Sequence, residues 1–299
     1  MMRYCGYWFA AHLILVNGIF AASNISRTTG NQNIPSRSIC GFQEIDTATV
    51  EDEVGLAESP WTALLQYTLS SGKIRFLCSG SLISPRYVLT AAHCANPHSG
   101  KLTGVRFGEY STKTEIDCLT PNNCNERPVD IEVEEIIFHE NYSITDRNHY
   151  NDIALIRLKK DVPYSRFIRP ICLPASDESS TTGDLLTLTK WERDGEKSEV
   201  IIKKKVKLPV VSTEQCESKY SKMITFADSQ FCAGGQHKRD ACQGDGGGPL
   251  LKETKTDPTQ WYQEGIVSFG ANPCGLEDYP SIYTKVVNYL PWIYSHVRD

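Results

Sequence analysis

The chain has 299 residues, 40% hydrophobic and 22% charged, with a formal net charge of −5. That leaves enough apolar surface for a sizeable buried core and excludes the strong basic excess of a nucleic-acid binder. The length suits one large β domain of about 200–250 residues with extra segments, or two average domains.

Residues 1–23 read as a signal peptide. Arg3 supplies the positive start, residues 7–21 are mostly apolar, and Ala21-Ala22-Ser23 offers small residues for cleavage. A membrane anchor is the competing reading, but a span needs about 20 apolar residues, and His12 and Asn17 interrupt this stretch. Residues 24–38, rich in Ser, Thr, Asn and Arg, form a polar lead. From about residue 50, short runs rich in Val, Ile, Thr and aromatics alternate with Gly, Pro, Asn and Asp, predicting strands at 61–67, 80–89, 131–138, 153–158, 200–211 and 265–269. Regular short strands of this kind imply a β-sandwich or barrel. Lys203-Lys204-Lys205-Val206-Lys207 reads as a strand with a solvated face rather than a site for an anionic partner. Residues 286–297 have apolar positions at helical spacing and predict a terminal helix. Of eleven cysteines, Cys5 falls in the signal, and the remaining ten in an exported chain predict a disulfide framework; no Cys-x-x-Cys pair speaks for a metal. Asn24 and Asn141 head Asn-x-Ser sequons and are candidate glycosylation sites.

Three segments carry chemistry. Triad hydrolysis needs a histidine base, a buried aspartate to orient it and a serine to attack. Val88-Leu89-Thr90-Ala91-Ala92-His93-Cys94, then Asn151-Asp152-Ile153-Ala154-Leu155-Ile156-Arg157-Leu158, then Cys242-Gln243-Gly244-Asp245-Gly246-Gly247-Gly248-Pro249-Leu250 resemble, in that order, the histidine, aspartate and serine segments of the chymotrypsin-like serine protease family. The resemblance covers residues 40–299. It implies an all-β fold, the chymotrypsin-like double six-stranded β-barrel with a C-terminal helix. The protease domain would span 50–299, with barrels over 50–165 and 166–299, behind a lead 24–49 tethered through Cys40. It also implies bridges Cys78–Cys94, Cys216–Cys232, Cys242–Cys274 and Cys40–Cys172, and leaves Cys118 and Cys124 for a local loop. That extra pair and the Cys40 tether resemble the clip-type proteases of arthropod haemolymph cascades.

Against that family the chain departs in three places. Gly246 stands where the nucleophilic serine belongs, and Gly247 and Gly248 offer no substitute. Loss of the nucleophile from such a triad costs turnover about 10⁶-fold, roughly 8 kcal/mol of barrier. The Gly244 and Gly246 amides could still form an oxyanion hole, which alone gives only weak residual catalysis. Active relatives are cut after a basic residue, and the new Ile-Val-Gly-Gly ammonium pairs with the aspartate before the serine. The corresponding stretch, Thr47-Ala48-Thr49-Val50, has neither feature, so Asp245 loses its usual cation and must find other donors or stay exposed. Lys190 and Glu192 flank Trp191 where relatives carry glycines, which disfavours any positive-φ backbone there.

The resemblance places Asp240 at the floor of a trypsin-type specificity pocket and Ser268 and Gly270 on its substrate-pairing wall. Ser281 replaces a glycine in the opposite wall, where its Cβ and hydroxyl narrow the pocket, bond Asp240 and impede an arginine; Asp240 as a surface residue of a disordered pocket is the alternative. Glu109, Glu115 and Asp117 lie in a segment resembling a calcium-holding loop, with a solvated acidic loop as the other reading. No other cofactor is expected. The function implied is a secreted, extracellular, catalytically inactive serine protease homologue that binds proteases, their zymogens or substrates in an immune or melanisation cascade. The rival readings are an active trypsin-like endopeptidase and a microbial-surface recognition or adhesion protein.

Overall fold

The computed structural model describes residues 1–2, 31–45, 52–95, 100–193, 200–220, 223–237 and 239–299. Residues 3–23 of the signal segment, Asn24 and the junction Thr47-Ala48-Thr49-Val50 lie outside the described residues. Residues 31–299 form one compact unit.

In chain order, β1 (Thr62–Thr68), β2 (Ile74–Ser84) and β3 (Tyr87–Thr90) lead into a single helical turn, α1 (Ala92–Ala95), and then β4 (Lys101–Phe107). A small hairpin follows, β5 (Cys118–Thr120) and β6 (Asn123–Cys124), before β7 (Val129–Phe138) and β8 (Ala154–Leu158). The larger strands close into a barrel in the order β1-β2-β3-β8-β7-β4. The second half has β9 (Leu185–Arg193), β10 (Val200–Val211), α2 (Thr213–Tyr220), β11 (Gln230–Gly234), β12 (Pro249–Glu253), β13 (Trp261–Phe269) and β14 (Pro280–Lys285). These strands close in the order β10-β11-β14-β13-β12-β9. Closure removes the free edges that an open sheet would expose. The chain ends in a 3₁₀ turn, Val286–Tyr289, and α3 (Leu290–His296).

Each barrel buries its own apolar side chains. Tyr67, Leu82, Phe107, Ile131 and Leu155 sit in the first barrel's core, and Leu186, Leu208, Val267 and Tyr283 in the second. Ile293 of α3 belongs to the first core, so the terminal helix crosses back and fastens one half to the other. Each such fully buried side chain contributes about 1.5–3 kcal/mol.

All five expected disulfides are formed: Cys40–Cys172, Cys78–Cys94, Cys118–Cys124, Cys216–Cys232 and Cys242–Cys274. The lead is also stitched through its backbone: the Gly41 amide donates to the Pro170 carbonyl at 2.9 Å, and the Trp261 amide donates to the Gly41 carbonyl at 2.8 Å. Gly41 has φ +78°, and a Cβ there would stand 2.2 Å from the Trp261 carbonyl oxygen, so only glycine fits.

The expected terminal helix is present, as a 3₁₀ turn followed by α3. Two expectations need correction. The run 80–89 is two strands, β2 and β3, because Pro85 lacks the N–H a central ladder needs. The lysine run does form β10, but its face is not simply solvated. Lys203 is only 4% exposed, and its ammonium donates to the Glu58 carbonyl at 2.8 Å. Lys205 pairs with the Glu58 carboxylate at 2.7 Å. Burial pulls the Lys203 ammonium down to about 8, against the opposing pull of Glu58 and Glu109. Among the described residues no helix is long and apolar enough to cross a membrane.

Candidate functional site

The cleft lies between the barrels. His93 sits on α1 just after β3, Asp152 just before β8, and Gly246 on the turn entering β12. Asp152 is fully buried. One of its oxygens accepts the His93 backbone amide at 2.9 Å; the other accepts the imidazole Nδ1 at 2.8 Å and the Ser268 hydroxyl at 2.5 Å. Thr284 donates to the Asp152 carbonyl at 2.9 Å, which fixes the backbone as well. Burial opposes both charges, but the ion pair and its hydrogen bonds prevail: His93 is held above its ordinary pKa and Asp152 below its own. The His–Asp half of a hydrolytic triad is therefore fully assembled.

Opposite the imidazole there is only an α-carbon. A Cβ built on Gly246 would lie 2.7 Å from His93 Nε2 and 3.4 Å from Cys94 Sγ. The ring thus leans into space that a side chain would need. Gly244 has φ +98°, and among the described residues neither its amide nor that of Gly246 donates to a backbone carbonyl. Beside it lies Arg193, whose guanidinium donates to the Gly244 and Phe76 carbonyls, each at 3.2 Å.

Asp245 is 2% exposed and has found donors inside the chain. The Cys242 amide donates to it at 2.8 Å, the Trp191 amide at 3.4 Å, and the Lys190 ammonium stands 3.7 Å away. Burial pushes its carboxyl up, opposed chiefly by Lys190. Two departures seen in the sequence, the missing junction ammonium and the lysine in place of glycine, meet at this one carboxylate. Lys190 and Glu192 sit in β9, and neither has a positive φ.

The cleft has a volume of about 590 Å³ and reaches from His93 and Gly246 to Ala241, Phe269, Gly270 and Ser281. Asp240 lies behind this wall, 2% exposed, with its carboxylate accepting the Ala241 amide at 2.8 Å. It is not a surface residue. Burial pushes it up to about 6, against a hydrogen bond from Ser281.

His149 and Arg193 escaped the sequence reading. His149, on the β7–β8 loop with φ +51°, stacks on Phe269 at 4.7 Å between ring centroids. Burial lowers its pKa, with Asp152 opposing and His93 reinforcing. Neither residue carries a local motif, since each reaches the cleft only through the fold. Asn141 lies exposed on the same loop, accessible to modification.

The three candidate calcium carboxylates do not converge. Glu115 points outward to Arg127 at 2.5 Å. Asp117 is taken by the Ser111 amide, Thr114 and Asn125. Glu109 accepts from Arg106 at 3.2 Å and from the Tyr110 amide at 3.0 Å, and Lys203 supplies a further buried positive charge nearby. This donor set does not fit a cation that wants six to eight oxygens. Cys78, His93 and Cys94 bring their ligand atoms together, but both sulfurs are spent in the disulfide.

Comparison with known proteins matches the trypsin family model over residues 50–293. CLIP domain-containing serine protease B9 of Anopheles gambiae is 41% identical over 274 residues, covering 89% of this chain and 67% of the relative. Phenoloxidase-activating factor 3 of Holotrichia diomphalia is 42% identical over 272 residues, covering 90% and 77%. Among solved structures, the Drosophila Grass clip serine protease of the Toll pathway superposes with a TM-score of 0.73 at 33% identity, covering 88% of this chain and 75% of that one.

Proposed function

This chain belongs to the trypsin family, beside the CLIP-domain serine proteases of arthropods, and from that membership we propose that it is a secreted, non-catalytic homologue that binds a protease, zymogen or substrate within an extracellular cascade. The observation that carries the reading is the bare α-carbon of Gly246 under His93 Nε2. A correctly tuned base has no hydroxyl to deprotonate, and nothing can form an acyl intermediate. The cleft around it is intact, so binding outlives chemistry. The names of the relatives, a phenoloxidase-activating factor and a clip protease of the Toll pathway, support an immune cascade, including melanisation, as the setting.

The test is to express the mature chain, treat it with active cascade proteases, and assay peptide hydrolysis and labelling by a fluorophosphonate. An active trypsin-type protease serves as control. No turnover and no label are expected. A covalent adduct in residues 242–250, or peptide hydrolysis that His93→Ala abolishes, overturns the proposal.

A further inference from the structure

We infer, building on the reading of the cleft as a binding site, that its blind end selects an uncharged side chain of an extended peptide, and that Ser281 is the residue that sets this choice. Three features of the wall converge on it.

First, Asp240 does not line the cleft. Its carboxylate is turned towards the Ala241 amide, and it lies 2.8 Å from where a Cβ on Gly234 would stand. Second, Ser281 stands between it and the cleft. The Ser281 hydroxyl comes within 2.6 Å of where a Cβ on Gly270 would lie, so it spans from β14 to the end of β13 and shortens the pocket. The same hydroxyl is near enough to Asp240 to oppose the rise that burial gives its carboxyl. Third, a cation is already installed behind the floor. The Lys190 ammonium donates to the Asp240 carbonyl at 2.9 Å and stands 3.7 Å from Asp245. A guanidinium or ammonium entering from the cleft would meet a hydroxyl in place of a carboxylate, and the carboxylates behind it already share Lys190. Burying such a group without a partner is unfavourable.

What remains to line the blind end is neutral: Ala241, Val267, Ala271, Pro273 and the Cys242–Cys274 bridge. Backbone is on offer too. Among the described residues the backbone bonds from Gly247 and Gly248 to β13 stop at Val267, and Phe269 and Gly270 beyond it line the cleft. An added peptide strand docks on such an edge and places alternate side chains into pockets.

The experiment uses the full mature chain. Binding of p-aminobenzamidine is followed by its fluorescence, and a series of labelled peptides, identical except for Ala, Val, Leu, Phe or Arg at one position, is titrated by anisotropy. Ala, Val or Leu is expected to bind at least tenfold tighter than Arg, with the benzamidine showing no saturation. Ser281→Gly should raise benzamidine and Arg-peptide affinity at least tenfold, and Ser281→Ala, which keeps the Cβ, should raise them less. Preference for Arg in the wild type, an order unchanged by Ser281→Gly, or no binding by any probe overturns the inference. None of these outcomes touches the fluorophosphonate result, so the absence of catalysis stands or falls separately.

Discussion

At the scale of single residues, Asp240 is held out of water behind the cleft wall, a placement that no local signature of the kind marking His93, Asp152 and Gly246 announces. Its folded pKa is raised by burial to about 6 from 3.8. Between those values the folded state keeps a proton that the unfolded state releases, so stability falls as pH rises through that window, and the cost is complete above it. Asp240→Asn keeps the oxygen that accepts the Ala241 amide and removes the charge. It should gain up to about 3 kcal/mol at pH 7 and nothing near pH 4. Urea melts at pH 4, 5, 6 and 7 measure the difference between variant and wild type, and a difference that is flat with pH would refute this account.

Among the elements, β9 does the most at the site. It brings Lys190, Trp191 and Arg193 to the turn that holds Gly244 and Gly246. The sequence reading saw Lys190 and Glu192 only as lost glycines, because the partner that gives Lys190 its role lies 55 residues away in the chain. The 200–211 strand was plain from its β-branched run, yet the inward turn of Lys203 was not, since nothing local distinguishes it from its lysine neighbours. Removing one partner of a buried pair costs about 3–5 kcal/mol. The 3.7 Å separation and partial exposure of Lys190 place it below that range. Lys190→Met should therefore destabilise by about 1–3 kcal/mol at pH 7, with the loss shrinking in acid as Asp245 protonates. Hydrogen exchange should speed up in residues 241–247 well before the first barrel responds, and uniform exchange across both barrels would count against the assignment.

For the whole molecule, the double barrel and its bridges followed from the family resemblance, while the crossing of α3 onto the first core and the stitching of the lead came only with tertiary structure. The Cys40–Cys172 bridge closes 132 residues. Replacing both with serine should cost about 2–5 kcal/mol. It should also expose Arg37, now paired with Glu178 at 2.5 Å, to limited trypsin digestion. Unchanged digestion would show that the backbone stitches suffice without sulfur. Residues on both sides of 46–51 are fastened to the same body, Glu44 through its amide to the Ala57 carbonyl and Asp52 by accepting the Lys205 amide. A cut in that interval would create two new chain ends yet release nothing. The nicked particle would migrate as one species until a reductant parted it, and whatever recognises the lead would still find it riding on the same surface.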